Sequence, residues 1–220
     1  MFNKVAVKRD ELFQKNLDDS YVLNVVVRVE KSSTSDFNQV FQAATNAFVK
    51  MFIENENVLP PTWFKGSMKK VVKRARGARW DDVKNLKGAC YGEFQGAEVV
   101  IFPPVKRENT PEVINKLQMS GLQLNTNSFP LKEGVLNVAP NFSVDMTSGK
   151  LLAQMLHGVQ VFLHTAEPHV TNQWVNSGYS VNVCSRYDEL FDEADSLNVR
   201  DWGLTEIPAG TSTVVVVYGS

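Results

Sequence analysis

The chain has 220 residues, 43% of them hydrophobic and 21% charged, with a formal net charge of −1 and two cysteines. That is enough chain for one large core or two small ones, and the balance of charge argues against an overall polycationic nucleic-acid binder while leaving room for local patches. Cys90 and Cys184 lack CxxC spacing, which excludes a disulfide framework or a thiolate metal site and points to a reducing, cytoplasmic setting.

The N-terminus, MFNKVAVKRDELFQKNLDD, is charged throughout and reads as neither a signal peptide nor a membrane span. YVLNVVVRVE (21–30) is β-branched and almost continuously apolar, the pattern of a strand buried on both faces. SSTSD (32–36) follows as capping residues, and FNQVFQAATNAFVKMFI (37–53) sets Phe37, Val40, Phe41, Ala44, Phe48 and Phe52 at helical spacing. Beyond the turn NVLPPTW, the segment KGSMKKVVKRARGARW (65–80) concentrates Lys65, Lys69, Lys70, Lys73, Arg74, Arg76 and Arg79 and reads as a short basic helix and its exit. GAEVVIFPP (96–104) predicts a second buried strand. TPEVINKLQMSG (110–121) predicts a helix opened by Pro111 and closed by Gly121, and LQLNTNSF (122–129) a short strand. The order so far is βα(α)βαβ.

From Gly134 the pattern restarts. GVLNVAPNFS (134–143) reads as a strand, DMTSGKLLAQMLHGVQVFLH (145–164) as a cap and helix, and YSVNVC (179–184) as a strand. RYDELFDEADS (186–196) reads as a short helix and TSTVVVVYG (211–219) as a last strand. Residues 22–52 lie over 135–165 without a gap, with VLNV matching VLNV and Thr34-Ser35 falling on Thr147-Ser148. The expected fold is therefore α/β with two related lobes, 1–130 and 131–220, each a mixed β-sheet covered by helices, as in a fused pseudo-dimer. In this alignment Asp36-Phe37 stands where the second lobe has Gly149-Lys150, so a reactive lysine belongs to the second lobe alone.

Two motifs in the second lobe carry a resemblance. MTSGKLLAQMLHG (146–158) follows a strand and opens a helix with Gly149, Lys150, Ala153, Gln154 and His157 in the pattern G-K-x-x-A-Q-x-x-H. DWGLTEIPAGTSTVVVVYG (201–219) has Asp201, Gly203, Thr205, Ile207, Gly210, Thr211 and Thr213 in the form D-x-G-x-T-x-I-x-x-G-T-x-T before a strand. In this order, on these elements, the chain from 134 to 219 resembles the type 2 peptidyl-tRNA hydrolases. The resemblance implies a small α/β domain, usually paired as a homodimer, that hydrolyses the ester between a peptide and its tRNA. It implies no cofactor, and it places Lys150, Asp201 and Thr213 in the catalytic centre with Gln154 beside them. With a related lobe fused in the same chain, a monomer is the expected state, further self-association staying open. Ser148 and Cys184 stand where the family has lysines.

Physically, ester hydrolysis needs an activated water and a positive group where the carbonyl oxygen gains charge, which a lysine and an aspartate sharing one open cleft can supply. Lys150 is otherwise misplaced, because a cation in the first turn of a helix opposes the macrodipole. Gln154, one turn on, shares its face. The histidines at 157, 164 and 169 match no metal-ligand spacing, and no metal is expected. Lys69, Lys70, Lys73, Arg74, Arg76 and Arg79 are candidates for RNA phosphates, with Trp63 or Trp80 for base stacking. The alternative is a catalytically inactive RNA-binding or interaction protein that keeps the fold.

Overall fold

In a computed structural model, residues 20–30, 36–55, 59–66, 68–193 and 195–219 are described. The amino-terminal stretch read as lacking a leader, and the Thr34-Ser35 pair, lie outside them. The chain falls into two compact units that part between Asn125 and Thr126.

In the first unit β1 (Tyr21–Arg28) is central, and six consecutive residues of it are buried, as a strand covered on both faces requires. It pairs in parallel with β2 (Lys70–Ala75) on one side and antiparallel with β4 (Ala97–Ile101) on the other, and β3 (Cys90–Phe94) extends the sheet beyond β4. The parallel pair needs a crossover, supplied by α1 (Phe37–Asn55) and α2 (Pro61–Lys65). Asp36 caps α1, its Oδ1 accepting from the amides of Asn38 at 2.8 Å and Gln39 at 3.3 Å. After β4, Pro103-Pro104 withdraws two backbone donors, and the chain resumes as β5 (Val105–Lys106) against Tyr21 and Val22. α1 lies on β3 and β4, close enough that a Cβ on Gly92 would overlap the backbone of Ala43 and Ala47. The opposite face packs Val26 and Val100 against Trp80 and Val83 of α3 (Ala78–Lys84) and Ile114 of α4 (Glu112–Asn115).

The second unit has the same strand order and directions. Here β6 (Leu136–Pro140) is central, parallel to β7 (Val181–Val183) and antiparallel to β9 (Ser212–Tyr218), with β8 (Leu197–Arg200) beyond β9. α5 (Ser148–Thr165) and α6 (Pro168–Asn176) make the crossover, and α7 (Tyr187–Phe191) follows β7. α5 lies so close to its sheet that a Cβ on Gly158 would meet Val216 at 2.5 Å. Leu190 of α7 packs on the other face with Ala139, Cys184 and Val215.

Three expectations are corrected. The basic run is strand β2, not a helix: Val71 and Val72 sit in a parallel ladder with β1, flanked by Lys70 and Lys73, whose side chains are buried. Residues 122–129 form no strand but two isolated pairings, Asn125 with Asp36 and Phe129 with Cys184, in a stretch too polar to build a ladder. The helix from Pro111 is a single turn, because only Ile114 in it is buried. No helix among the described residues is long and apolar enough to cross a membrane.

Candidate active site

The end of α5 nearest the carboxyl terminus of β6 is organised around Lys150. Thr147 caps the helix, its Oγ1 accepting from the amide of Lys150 at 3.2 Å. Thr147 in turn donates its own amide (3.1 Å) and hydroxyl (2.9 Å) to the carboxylate of Glu206, which sets a negative charge against the positive end of the helix. Glu206 occupies an unconstrained position of the terminal motif, and sequence reading missed it for that reason.

Lys150 Nζ lies 2.5 Å from Asp201 Oδ2 and donates to Thr205 Oγ1 at 3.3 Å. The misplaced cation is thus held by a carboxylate delivered from the far end of the unit. Asp201 Oδ2 also accepts from Gln154 Nε2 at 2.7 Å, and Gln154 Oε1 accepts from Thr213 Oγ1 at 2.7 Å. The four side chains expected together therefore meet, in one chain of bonds running Thr213, Gln154, Asp201, Lys150.

Local folding explains how Asp201 and Thr213 arrive there. Past the end of β8, Asp201 Oδ1 accepts from the amide of Gly203 at 2.7 Å, its carbonyl accepts from Gly210 at 2.7 Å, and its amide donates to Thr211 at 2.8 Å. Gly203 has φ +73, and a Cβ there would stand 2.7 Å from the amide nitrogen of Ala209, so only glycine fits the turn. Ile207 is buried beneath the loop. Along β9, Val214 pairs with Val199 but Ser212 pairs with Arg200, leaving Thr213 with no partner residue on β8. This bulge turns Thr213 toward α5, where strict alternation would point it at the α7 side with Val215.

The cluster is closed where an open cleft is expected. Asp201 is 6% exposed, Gln154 3% and Thr213 0%, and the Lys150 side chain, at 10%, is the member nearest solvent. Exposed Phe142 and Leu204 flank it in sequence terms: Phe142 follows Asn141, whose amide donates to the Thr213 carbonyl at 2.8 Å, and Leu204 precedes Thr205. Cys184 is buried in the α7-side core, where burial pushes its thiol up.

Among the described residues of the first unit there is no comparable cluster. Phe37 and Phe41 stand where α5 carries Lys150 and Gln154, both fully buried. Of the six basic candidates there, Lys70 and Lys73 are also buried and cannot face a phosphate. Lys70 Nζ sits over the rings of Phe48 and Trp63, 5.5 and 5.3 Å from their centroids, and Lys73 Nζ donates to the Ile114 carbonyl at 2.8 Å. Burial lowers the pKa of both, with Arg107 adding to the effect at Lys73. Trp63 and Trp80 are core residues and offer no stacking face. Lys69 and Arg74 are half-buried, Arg76 and Arg79 exposed, and the three arginines line one cavity of about 440 Å³. No protein-family model, no curated protein and no solved structure matches this chain, so any functional reading stands on the placement of these side chains.

Proposed function

We propose that the protein hydrolyses the ester between a peptide and tRNA in the cytoplasm, with Lys150, Asp201, Gln154 and Thr213 as its centre and no cofactor. The observation that carries this reading is the Lys150–Asp201 pair at 2.5 Å, continued through Gln154 to Thr213. In the reaction, Lys150 Nζ donates to the ester carbonyl oxygen as it gains negative charge. Asp201 Oδ2 takes a proton from the attacking water. The bond from the acyl carbon to the ribose oxygen breaks, that oxygen receives the proton from Asp201, and a peptide acid and a tRNA hydroxyl result. Gln154 and Thr213 hold the carboxylate in place, and Phe142 and Leu204 offer apolar surface to a terminal base or a peptide side chain.

The same reading makes the two units copies of one ancestral unit, fused in a single chain, of which only the second keeps the chemistry. The identical strand order and the VLNV match at the central strands support it.

A second reading is favoured by the burial of Asp201, Gln154 and Thr213: the cluster is a polar clamp joining α5 to β8 and β9 in a catalytically silent tRNA-binding protein. Release of labelled peptide from peptidyl-tRNA separates the two. The hydrolase reading expects turnover that falls about 100-fold or more in Lys150→Ala and is partly kept in Lys150→Arg, the size of effect that follows loss of one donor to a developing oxyanion. Equal rates in wild type and both variants sink it, and salt-sensitive tRNA binding without turnover establishes the second reading.

A further inference from the structure

We propose that the first unit holds a binding pocket for a phosphorylated nucleoside at Arg74, Arg76 and Arg79, a site that stands independently of the hydrolase reading. The cavity of about 440 Å³ is lined by these three arginines, by Gln118 and by Val29, Ala75 and Ala78. Its volume suits a small ligand of mononucleotide size.

Its position follows from topology. Val29 comes just after β1 and Arg76 just after β2, so the cavity lies at the carboxyl ends of the two parallel strands of this sheet. Open α/β sheets bind ligands in the crevice outside those ends. Arg74 pairs with Val27 one rung before the end of the ladder, and its backbone amide donates to the Gln118 carbonyl at 2.9 Å.

The charge is what selects the ligand. Arg74 is oriented by neutral acceptors, the Ser120 carbonyl at 2.8 Å and the Gln118 side chain, and no carboxylate pairs with any of the three arginines among the described residues. In the same unit Arg28 and Lys84 are matched by Glu98, and Lys116 by Glu112. Three arginines that line one space without a carboxylate partner call for a ligand with more than one negative oxygen, and the planar fork of arginine fits a phosphate bidentately. The apolar wall of Val29, Ala75 and Ala78 accepts what a bare phosphate lacks, the face of a base or sugar. The nucleotide can be free or the end of a single RNA strand, since both present the same groups.

The test is equilibrium binding to the full chain of adenosine monophosphate, of inorganic phosphate, and of a short labelled single-stranded RNA. Saturable binding of the mononucleotide or of the RNA end is expected, weakened about tenfold or more in Arg76→Gln/Arg79→Gln, two exposed positions whose loss leaves the fold intact. Ala78→Glu, which seats a carboxylate among the arginines on an exposed helix position, abolishes binding while the thermal unfolding transition stays in place. Preference for the RNA end over the mononucleotide identifies the strand as the source, and the reverse identifies the free nucleotide. Inorganic phosphate binding as tightly as the mononucleotide overturns the nucleoside assignment. Absence of binding by all three probes, or binding unchanged in both variants, overturns the site.

Discussion

Asn24 and Asn137 hold the same place in the central strands of their two sheets, yet only Asn137 has its amide nitrogen bonded. Asn137 Nδ2 donates to the Lys132 carbonyl at 2.8 Å, and its Oδ1 accepts from the Lys132 amide at 3.0 Å and from Asn182 Nδ2 at 2.8 Å. Asn24 Nδ2 is buried without a partner, because its ladder neighbour is Val71 where Asn137 faces Asn182. An unsatisfied buried donor costs about 1–3 kcal/mol, and an apolar isostere removes that cost. Asn24→Val therefore raises stability by roughly 1 kcal/mol, whereas Asn137→Val lowers it by a similar or larger amount by removing the acceptor of the Lys132 amide and one of the two acceptors of Asn182 Nδ2, the other being the Pro130 carbonyl. Urea midpoints of the two variants read this directly, and shifts of the same sign in both refute it.

That contrast also marks what the sequence could and could not reveal. β1, α1, β4, β6, α5 and β9 were legible because each has a clear pattern, apolar in most positions for the strands and at helical spacing for α1 and α5. β3 and β8 were not, since CYGEF and LNVR are short edge strands with glycine or polar residues in half their positions. β2 was misread because its sequence, KVVKRA, has three cations in six residues and no alternation that marks a strand. Lys150, Asp201, Gln154 and Thr213 were found through their motifs. Their burial was not legible, because closure depends on the bulge at Thr213 and the turn at Gly203, which no hydrophobic pattern encodes.

Lys70 gives stability an unusual dependence on pH. Burial against Phe48 and Trp63 lowers its pKa well below the ordinary value of 10.5. Between the folded pKa and 10.5 the unfolded chain binds more protons at this site, so stability contributed by Lys70 rises with pH across that window and is least favourable below it. Lys70→Met keeps the stem in place and removes the ammonium. It raises stability at neutral pH by on the order of 1–3 kcal/mol and flattens the alkaline rise. Urea titrations from pH 6 to 10 check the slope; parallel curves for wild type and variant remove Lys70 as its source.

Each unit brings its long helix onto its sheet through one glycine, placed on opposite partners: Gly92 on strand β3 against α1, Gly158 on helix α5 against β9. At Gly158 a methyl group meets the side chains of Val216 and Val214, which can shift, and Gly158→Ala costs about 1–3 kcal/mol. At Gly92 it meets the backbone of Ala43 and Ala47, which cannot shift without moving α1, so Gly92→Ala costs more. The ranking is checked by thermal unfolding of the two variants, and equal losses contradict it.

Lys150 and Asp201 are a buried pair, and removing either member leaves the other without its counter-charge. Lys150→Met abandons a carboxylate still held by Gln154 and Gly203, while Asp201→Asn abandons an ammonium near solvent with Thr205 as its remaining partner. The first is the costlier, about 3–5 kcal/mol, because Asp201 is the more deeply buried of the two, its side chain 3% exposed against 10% for Lys150. The double variant recovers much of the loss, giving a coupling on the order of 1–3 kcal/mol. Thr213→Val adds to the Lys150→Met loss less than it costs alone, since its hydroxyl reaches the pair only through Gln154. A double-mutant cycle in urea measures each term. Simple additivity across Lys150, Asp201 and Thr213 means that the chain of bonds transmits nothing from strand β9 to the ammonium, and it removes the physical basis for treating the four side chains as one site.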